Sequence, residues 1–238
     1  TASEFYERMK TTEKLPTTSQ PAIGLYVELF EQLKHDGYDA AVCITLSSDI
    51  SGTYQSAMSA AKMVEDFDVR GFDSKISCSP QGYFVLEAEK LAKEGKNIEE
   101  ILAHLEIMRN KINAYFMVDD LNHLHRGGRL NAAQLFVGSL LKIKPVLHFV
   151  DGKIMPFEKV RTEKKALQRI FSLLDEGVAG KTNVQVTVIH SNRLSEAERI
   201  AEELRAKYPG AEVGVSYFGP VIGTHLGEGS LGISWYVA

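Results

Sequence analysis

The sequence predicts an α/β protein of two domains, the first with a parallel sheet flanked by helices and the second with a mixed or antiparallel sheet and helices. In the first half, short apolar runs alternate with longer amphipathic stretches, the succession that builds parallel βαβ units. In the second half, an Asp-Gly pair joins two strand-like runs, which is typical of a hairpin. A chain of 238 residues accommodates two cores. We place the domains at 1–113 and 114–238.

The first half contains helix and strand patterns in alternation. An amphipathic pattern that closes at a glycine predicts a helix over 22–37, and a β-branched apolar run predicts a buried strand over 39–46. Small and apolar residues at helical spacing predict a helix over 52–65. A short strand over 69–74 and helices over 80–95 and 97–112 follow. Ligands of parallel sheets bind at the carboxyl ends of strands, which is where 46–54 falls.

The second half reads as a mixture of helices and antiparallel strands. Strands are predicted over 114–121, 184–190, 212–218 and 231–237, and two more within 144–161 are joined at Asp151 and Gly152. Helices are predicted over 130–143, about 162–176 and 195–208.

Composition excludes several classes of protein. The formal net charge of −4 gives no general attraction to nucleic acid or to an anionic membrane surface. No apolar run approaches the roughly 20 residues that span a bilayer, and the first residues, TASEFYERMKTTEK, contain no apolar signal core. Cys43 and Cys78 form neither a disulfide framework nor a metal-ligand spacing. We expect a cytoplasmic protein without a metal site.

Four stretches are more polar or richer in glycine than plain connectors. They are LPTTSQP (15–21), LSSDISGTY (46–54), HRGGRLN (125–131) and GPVIGTHLGEGSLG (219–232). Each has a structural explanation when taken alone, because Ser and Thr cap helices, RGGR suits a solvated turn and glycines form tight turns. A strand, a turn and a helix start at 46–54 also form a ready anion site, since free N–H groups point at the turn.

Taken together, these motifs resemble one family. The segments TTSQP, SSDISGTYQSA, GGR, LLKIKPVL with DGKIMPFEKVRT, and GPVIGTHLGEGSLG occur in the order and spacing of the bacterial DegV family. The resemblance implies a fatty acid-binding protein of phospholipid metabolism, in some members the acyl-carrying subunit of a two-component fatty acid kinase. Family members start with a strand that carries an Asp-Ser sequence, and this opening strand is absent from the chain. A sheet without that strand exposes an unpaired edge, so we expect the natural protein to be longer.

The resemblance also implies a ligand site. It assigns binding of the fatty acid carboxylate to Thr18 or its neighbour Thr17, to Ser48 or its neighbour Ser47, and to His225, which would donate from across the domain interface on a mobile glycine-rich loop. Neutral donors suit a carboxylate that leaves water. The acyl chain would lie in an apolar tunnel between the domains. The fatty acid is then a ligand, no cofactor or metal is implied, and no catalytic residue is assigned to this chain.

The implied protein partner is the catalytic subunit of the fatty acid kinase. Guanidinium groups suit carboxylates and phosphates, so Arg126, Arg129 and Arg161 are assigned to docking this subunit or to steadying the acyl phosphate. Arg161 has an alternative, because it can pair with Glu158 or Glu163 at the surface. Transient contact with a membrane or an acyltransferase stays open.

Two other classes of function remain open at the level of the sequence. A small-molecule hydrolase or transferase would use Ser48 as nucleophile and His225 as base. Neither Ser47 nor Ser48 sits in a Gly-x-Ser-x-Gly elbow, and no Walker-type loop is present. The third class is a purely regulatory or interaction domain.

Overall fold

The computed structural model describes residues 1–130 and 144–238 and groups them into two compact units. Unit 1 comprises Thr1–Thr18, Cys78–Pro80 and Lys111–Ala238, and unit 2 comprises Ser19–Ser77 and Gln81–Asn110. The predicted fold class is confirmed, because unit 2 holds a parallel sheet and unit 1 a mixed sheet, each with helices. The predicted limits 1–113 and 114–238 remain a prediction. The helix predicted over 130–143 lies, except for its first residue, outside the described residues.

The helices and strands alternate along most of the described chain. In chain order the helices are α1 (Ala2–Thr11), α2 (Ile23–His35), α3 (Thr53–Ala61), α4 (Ser79–Lys93), α5 (Ile98–Arg109), α6 (Leu121–Arg126), α7 (Glu163–Val178), α8 (Leu194–Lys207) and α9 (Pro220–Leu226). The strands are β1 (Ala40–Thr45), β2 (Asp68–Asp73), β3 (Ile112–Met117), β4 (Val146–Val150), β5 (Lys153–Glu158), β6 (Val184–His190), β7 (Glu212–Tyr217) and β8 (Leu231–Val237).

Two short helices, α6 and α9, were not predicted. The Asp120 side chain accepts a hydrogen bond from Asn122 N–H at 2.8 Å, which caps α6 where the preceding strand was predicted to run on to 121. Pro220 occupies the first turn of α9, and Gly227 ends it with φ of 76°. The interpretation of 219–232 as a mobile loop is therefore wrong for Pro220–Leu226, and His225 is a helical residue.

Unit 2 is built on the parallel pair β1 and β2, with α2 and α3 packed beside it. The register runs from Ala40 opposite Asp68 to Thr45 opposite Asp73. Phe30 and Ala60 are fully buried against Val64 and Phe67 in its core. Because the two strands are parallel and in register, their carboxyl ends lie side by side, and the residues that follow Thr45 come next to Asp73.

Unit 1 is built on a six-stranded sheet in the order β5-β4-β3-β8-β6-β7. Only β6 and β7 pair in parallel, and the other neighbours are antiparallel. The predicted hairpin is present, with φ of 48° at Asp151 and 84° at Gly152, the double positive φ that its two-residue turn requires. β8 lies in the middle of the sheet and contributes Ile233 and Trp235, each 2% exposed, to the core.

Tyr6 anchors α1 to the rest of unit 1. Its side chain is 1% exposed, and its hydroxyl donates to the Phe218 carbonyl at 2.6 Å and lies 3.1 Å from Ser191 Oγ. A Cβ at Gly223 of α9 would lie 2.5 Å from this hydroxyl, so only glycine permits the approach. The anchored helix fixes the start of the segment that leads to Thr18.

Candidate functional site

Thr18 and His225 meet in unit 1. Thr18 lies in the segment between α1 and α2, and His225 lies on α9; Thr18 Oγ1 and His225 Nε2 are 2.7 Å apart and share a hydrogen bond. When the ring carries its hydrogen on Nε2, Thr18 accepts this bond and keeps its own hydroxyl hydrogen for a ligand. Both residues were assigned to the carboxylate from the sequence, but their bond to each other was not foreseen. Thr17 is exposed beside them.

The ring of His225 is held by a reciprocal contact between α6 and α9. A Cβ at Gly127, which ends α6, would lie far inside van der Waals contact with His225 Nδ1. A Cβ at Gly227, which ends α9, would lie 2.8 Å from Cδ2 and 3.0 Å from Nε2 of His123 on α6. Each helix thus ends in a glycine against which the imidazole ring of the other helix packs. Sequence reasoning missed His123, because nothing in the local motif distinguishes it.

The Thr18–His225 pair lies in the wall of a pocket of about 400 Å³ within unit 1. Charged side chains of both signs line it: Glu13, Lys14, Arg126 and Arg129. The cations outnumber the single carboxylate, so the pocket attracts anions. Burial, reinforced by the positive charge of Arg129, lowers the pKa of His225 below its ordinary value. The ring is therefore neutral at neutral pH and acts as a hydrogen-bonding group rather than as a cation.

Two of the predicted arginines belong to this pocket. Arg126 is the exposed last residue of α6, and Arg129 is half-buried with Nη1 donating to the Gly127 carbonyl at 2.6 Å. Both therefore lie beside the glycine that packs against His225 and line the same pocket as Thr18.

Arg161 lies exposed between β5 and α7. The carboxylates that the sequence offered as its surface partners bond to other arginines. Glu158 accepts from Arg169 Nε at 2.9 Å, and Glu163 accepts from Arg193 Nη2 at 2.5 Å.

Ser48 in unit 2 is bonded to Asp73. Its hydroxyl donates to Asp73 Oδ2 at 2.5 Å, and its N–H donates to Oδ1 at 3.1 Å. Burial by itself raises the pKa of Asp73, but hydrogen bonds from Ser48 and Lys75 outweigh it and hold the pKa below its ordinary value. A carboxylate with a lowered pKa is a weak base, so Asp73 orients the hydroxyl of Ser48 without activating it as a nucleophile.

Sequence reasoning missed Asp73, although a signal was present. It ends β2 opposite Thr45, the last residue of β1, and the carboxyl ends of neighbouring parallel strands lie together. The predicted strand includes Asp73, but the pattern of a single strand does not give its register against β1.

Ser47 shapes the turn between β1 and α3. It is completely buried, its hydroxyl accepts from Asp49 N–H at 3.2 Å, and its carbonyl accepts from Ile50 and Ser51 N–H at 3.2 Å each. The N–H groups of Asp49, Ile50 and Ser51 are therefore occupied within the turn. Gly52, not Ser or Thr, is the cap residue of α3.

Across residues 1–130 and 144–238, no three His, Cys, Asp or Glu side chains are grouped as metal ligands would be. Among the same residues, no helix has both the length and the apolar character needed to cross a membrane.

The chain is similar to known proteins over its whole length. The family described as "uncharacterised protein, DegV family" matches residues 1–238. A DegV domain-containing protein of Halalkalibacterium halodurans is 58% identical over 236 residues, which are 99% of this chain and 83% of that protein. The crystal structure of DegV from Bacillus subtilis, described as a fatty acid binding protein, has a TM-score of 0.92 at 55% identity, covering 98% of this chain and 83% of that one.

A second solved structure extends the comparison to lower identity. A fatty acid binding DegV family protein from Streptococcus agalactiae is 34% identical, has a TM-score of 0.92, and is matched over 100% of this chain and 84% of its own. The full-length match and these identities show that the chain belongs to the DegV family.

Proposed function

We propose that this protein binds a long-chain fatty acid and presents its carboxylate to the catalytic subunit of a fatty acid kinase, which forms the acyl phosphate. The observation that carries the proposal is the Thr18–His225 hydrogen bond at 2.7 Å in the wall of a cationic pocket. It is supported by relatives such as the Bacillus subtilis protein, which is described as fatty acid binding.

The Thr18 hydroxyl is the proposed donor to the carboxylate. In the tautomer that carries its hydrogen on Nε2, His225 donates to Thr18 and leaves the Thr18 hydrogen for the ligand. The neutral ring adds no cation at this point, so Arg126 and Arg129 supply the positive charge from the rim. Ser48 is the second proposed donor. Ser47 is fully buried, and its hydroxyl already accepts a hydrogen bond within its turn.

A long acyl chain explains why such a ligand stays bound. Burial of about 15 methylenes at roughly 0.8 kcal/mol each gives about 12 kcal/mol before the costs of association and ordering. A carboxylate held near the surface and a buried chain suit a carrier that another protein phosphorylates. The first test is mass spectrometry of an organic extract of the natively purified protein. A stoichiometric fatty acid supports the proposal, and a folded protein that neither carries nor takes up fatty acid contradicts it.

Replacing Thr18 with valine is expected to weaken fatty acid binding about tenfold to hundredfold. The substitution keeps the shape of the side chain but removes the proposed donor, and a hydrogen bond to a charged group contributes about 1.5–3 kcal/mol. Isothermal titration calorimetry with laurate measures the dissociation constant. Thr17→Val tests the neighbouring candidate, and a loss as large as that of Thr18→Val would contradict the assignment to Thr18.

Arg126→Ala and Arg129→Ala are expected to lower acyl phosphate formation by about tenfold even at fatty acid concentrations that saturate each variant, because each removes a charge that faces the phosphorylated head group. The assay combines loaded protein, the kinase catalytic subunit and ATP, and traps the product with hydroxylamine. Arg161→Ala is measured beside them for the docking role. Arg199 on α8 pairs with Glu203, and Arg199→Ala is the matched control. An equal loss in this control would refute a specific role.

A further inference from the structure

The hydroxyl hydrogen of Ser48 is already committed. A serine hydroxyl has one hydrogen, and in this structure it points to Asp73 Oδ2 at 2.5 Å. A carboxylate that binds at Ser48 needs the same hydrogen. A ligand oxygen within hydrogen-bond distance of Ser48 Oγ also lies within about 5 Å of the Asp73 carboxylate, since two hydrogen-bond lengths add to that span.

The cations beside Asp73 already have acidic partners. From the turn after β2, Lys75 Nζ lies 3.0 Å from Asp73, but it also lies 3.1 Å from Asp49 in the turn after β1. One cation therefore serves two acidic groups. From α5, Arg109 Nη2 donates to the Asp73 main-chain carbonyl at 2.7 Å, and its own charge is paired with Glu106. Lys75 and Arg109 are thus each paired with a carboxylate before any ligand arrives.

We propose that Asp73 is a specificity-determining residue, which makes a carboxylic head group bind at Ser48 together with one proton. The inference rests on the proposed fatty acid-binding function. Two carboxylates this close resist being ionised together, so one of them takes a proton from solvent. The proton is then shared among Asp73, Ser48 and the ligand, and no covalent bond forms or breaks. A head group that is always ionised cannot take up the proton and is disfavoured.

Proton uptake is measured by titrating laurate into the full chain at pH 7 in phosphate and in Tris buffer. The two buffers differ in ionisation enthalpy, so the difference in observed heat counts the protons bound. We expect roughly 0.5–1 proton per laurate for the wild-type chain. Dodecane-1-sulfonate, which has a permanently ionised head group, is expected to bind at least about tenfold more weakly than laurate.

Asp73→Asn is the diagnostic variant. Its amide oxygen can still accept from the Ser48 and Lys75 N–H groups, whereas its amide nitrogen donates to Ser48 and frees the hydroxyl hydrogen. Proton uptake should disappear, and sulfonate should bind about as well as laurate. Asp49→Asn is the matched control: it removes a carboxylate from the same lysine but leaves the Ser48–Asp73 bond in place, so uptake should persist.

The outcomes separate the two proposals. Laurate binding without proton uptake by the wild-type chain overturns the role of Asp73 and leaves the fatty acid-binding function standing. If Asp49→Asn loses proton uptake as completely as Asp73→Asn, the proposal is also overturned. Uptake would then depend on the total negative charge around Lys75 and not on Asp73. Failure of laurate to bind the wild-type chain overturns both. If Asp73→Asn does not fold, the affinities of the wild-type chain for laurate and for dodecane-1-sulfonate still test the proposal. Equal affinities for the two ligands overturn it.

Discussion

Gly127→Ala should strongly weaken the proposed binding of fatty acid while the protein stays folded. Gly127 has φ of −71°, which alanine adopts without strain, so the effect is purely one of space. The added methyl group would clash with His225 Nδ1 and displace the ring. The bond between Nε2 and Thr18 is then lost, and the hydroxyl is no longer oriented. We expect laurate to bind about tenfold to hundredfold more weakly by titration calorimetry.

Gly210→Ala controls for adding a methyl group to a glycine of the same unit. A Cβ there has no atom within 4 Å, and its laurate affinity should equal that of the wild type. Circular dichroism before titration confirms that each variant is folded. Wild-type affinity in Gly127→Ala would show that the position of the His225 ring does not matter for binding.

Gly177→Ala is expected to lower stability, although the same change in a helix usually raises it. Gly177 lies in the last turn of α7, and a Cβ there would be 2.6 Å from Nε1 and 2.9 Å from Cε2 of Trp235. The indole is 2% exposed in the core, so the ring cannot move away without displacing its neighbours. Overpacking of this kind costs about 1–3 kcal/mol, or roughly 3–10 °C in melting temperature for a chain of this size.

Gly82→Ala in α4 is the matched comparison. Its Cβ meets nothing within 4 Å, so only the helix preference for alanine remains, and we expect a gain of about 0.5 kcal/mol. Thermal unfolding followed by circular dichroism measures both variants. A stabilised Gly177→Ala would mean that Trp235 can move aside, contrary to the packing described for unit 1.

The sequence was most informative where a periodic pattern is long. The helix predicted over about 162–176 is observed as Glu163–Val178, and the strand over 231–237 is observed as Leu231–Val237. Such elements bury one whole face in the core, so their apolar residues recur with a clear helical or strand period. α6 has six residues and α9 has seven, which is fewer than two turns and too short to show a helical period. Only local signals mark where they begin, namely Asp120 for α6 and Pro220 for α9.

The site residues and their hydrogen-bond partners differ in what the sequence says about them. Thr18, Ser48 and His225 were assigned to the carboxylate through motifs that resemble the DegV family, and their role stays a prediction. Their hydrogen bonds were not predictable in this way, since 207 residues separate Thr18 from His225 and 25 separate Ser48 from Asp73. These residues come together only through the register of β1 against β2 and the packing of α9. Neither can be derived from a single sequence.

The central place of β8 in the sheet of unit 1 has a consequence for biosynthesis. β3 is complete at Met117, but its partner β8 begins only at Leu231, after β4 to β7 have been synthesised. Until then the growing chain displays strand edges on β3 and β6 that have no neighbour, the kind of surface that invites aggregation. The residues of unit 2, which end at Asn110, have emerged long before. We therefore expect nascent chains stalled before residue 231 to hold a folded unit 2 and an open unit 1, and to depend on chaperones.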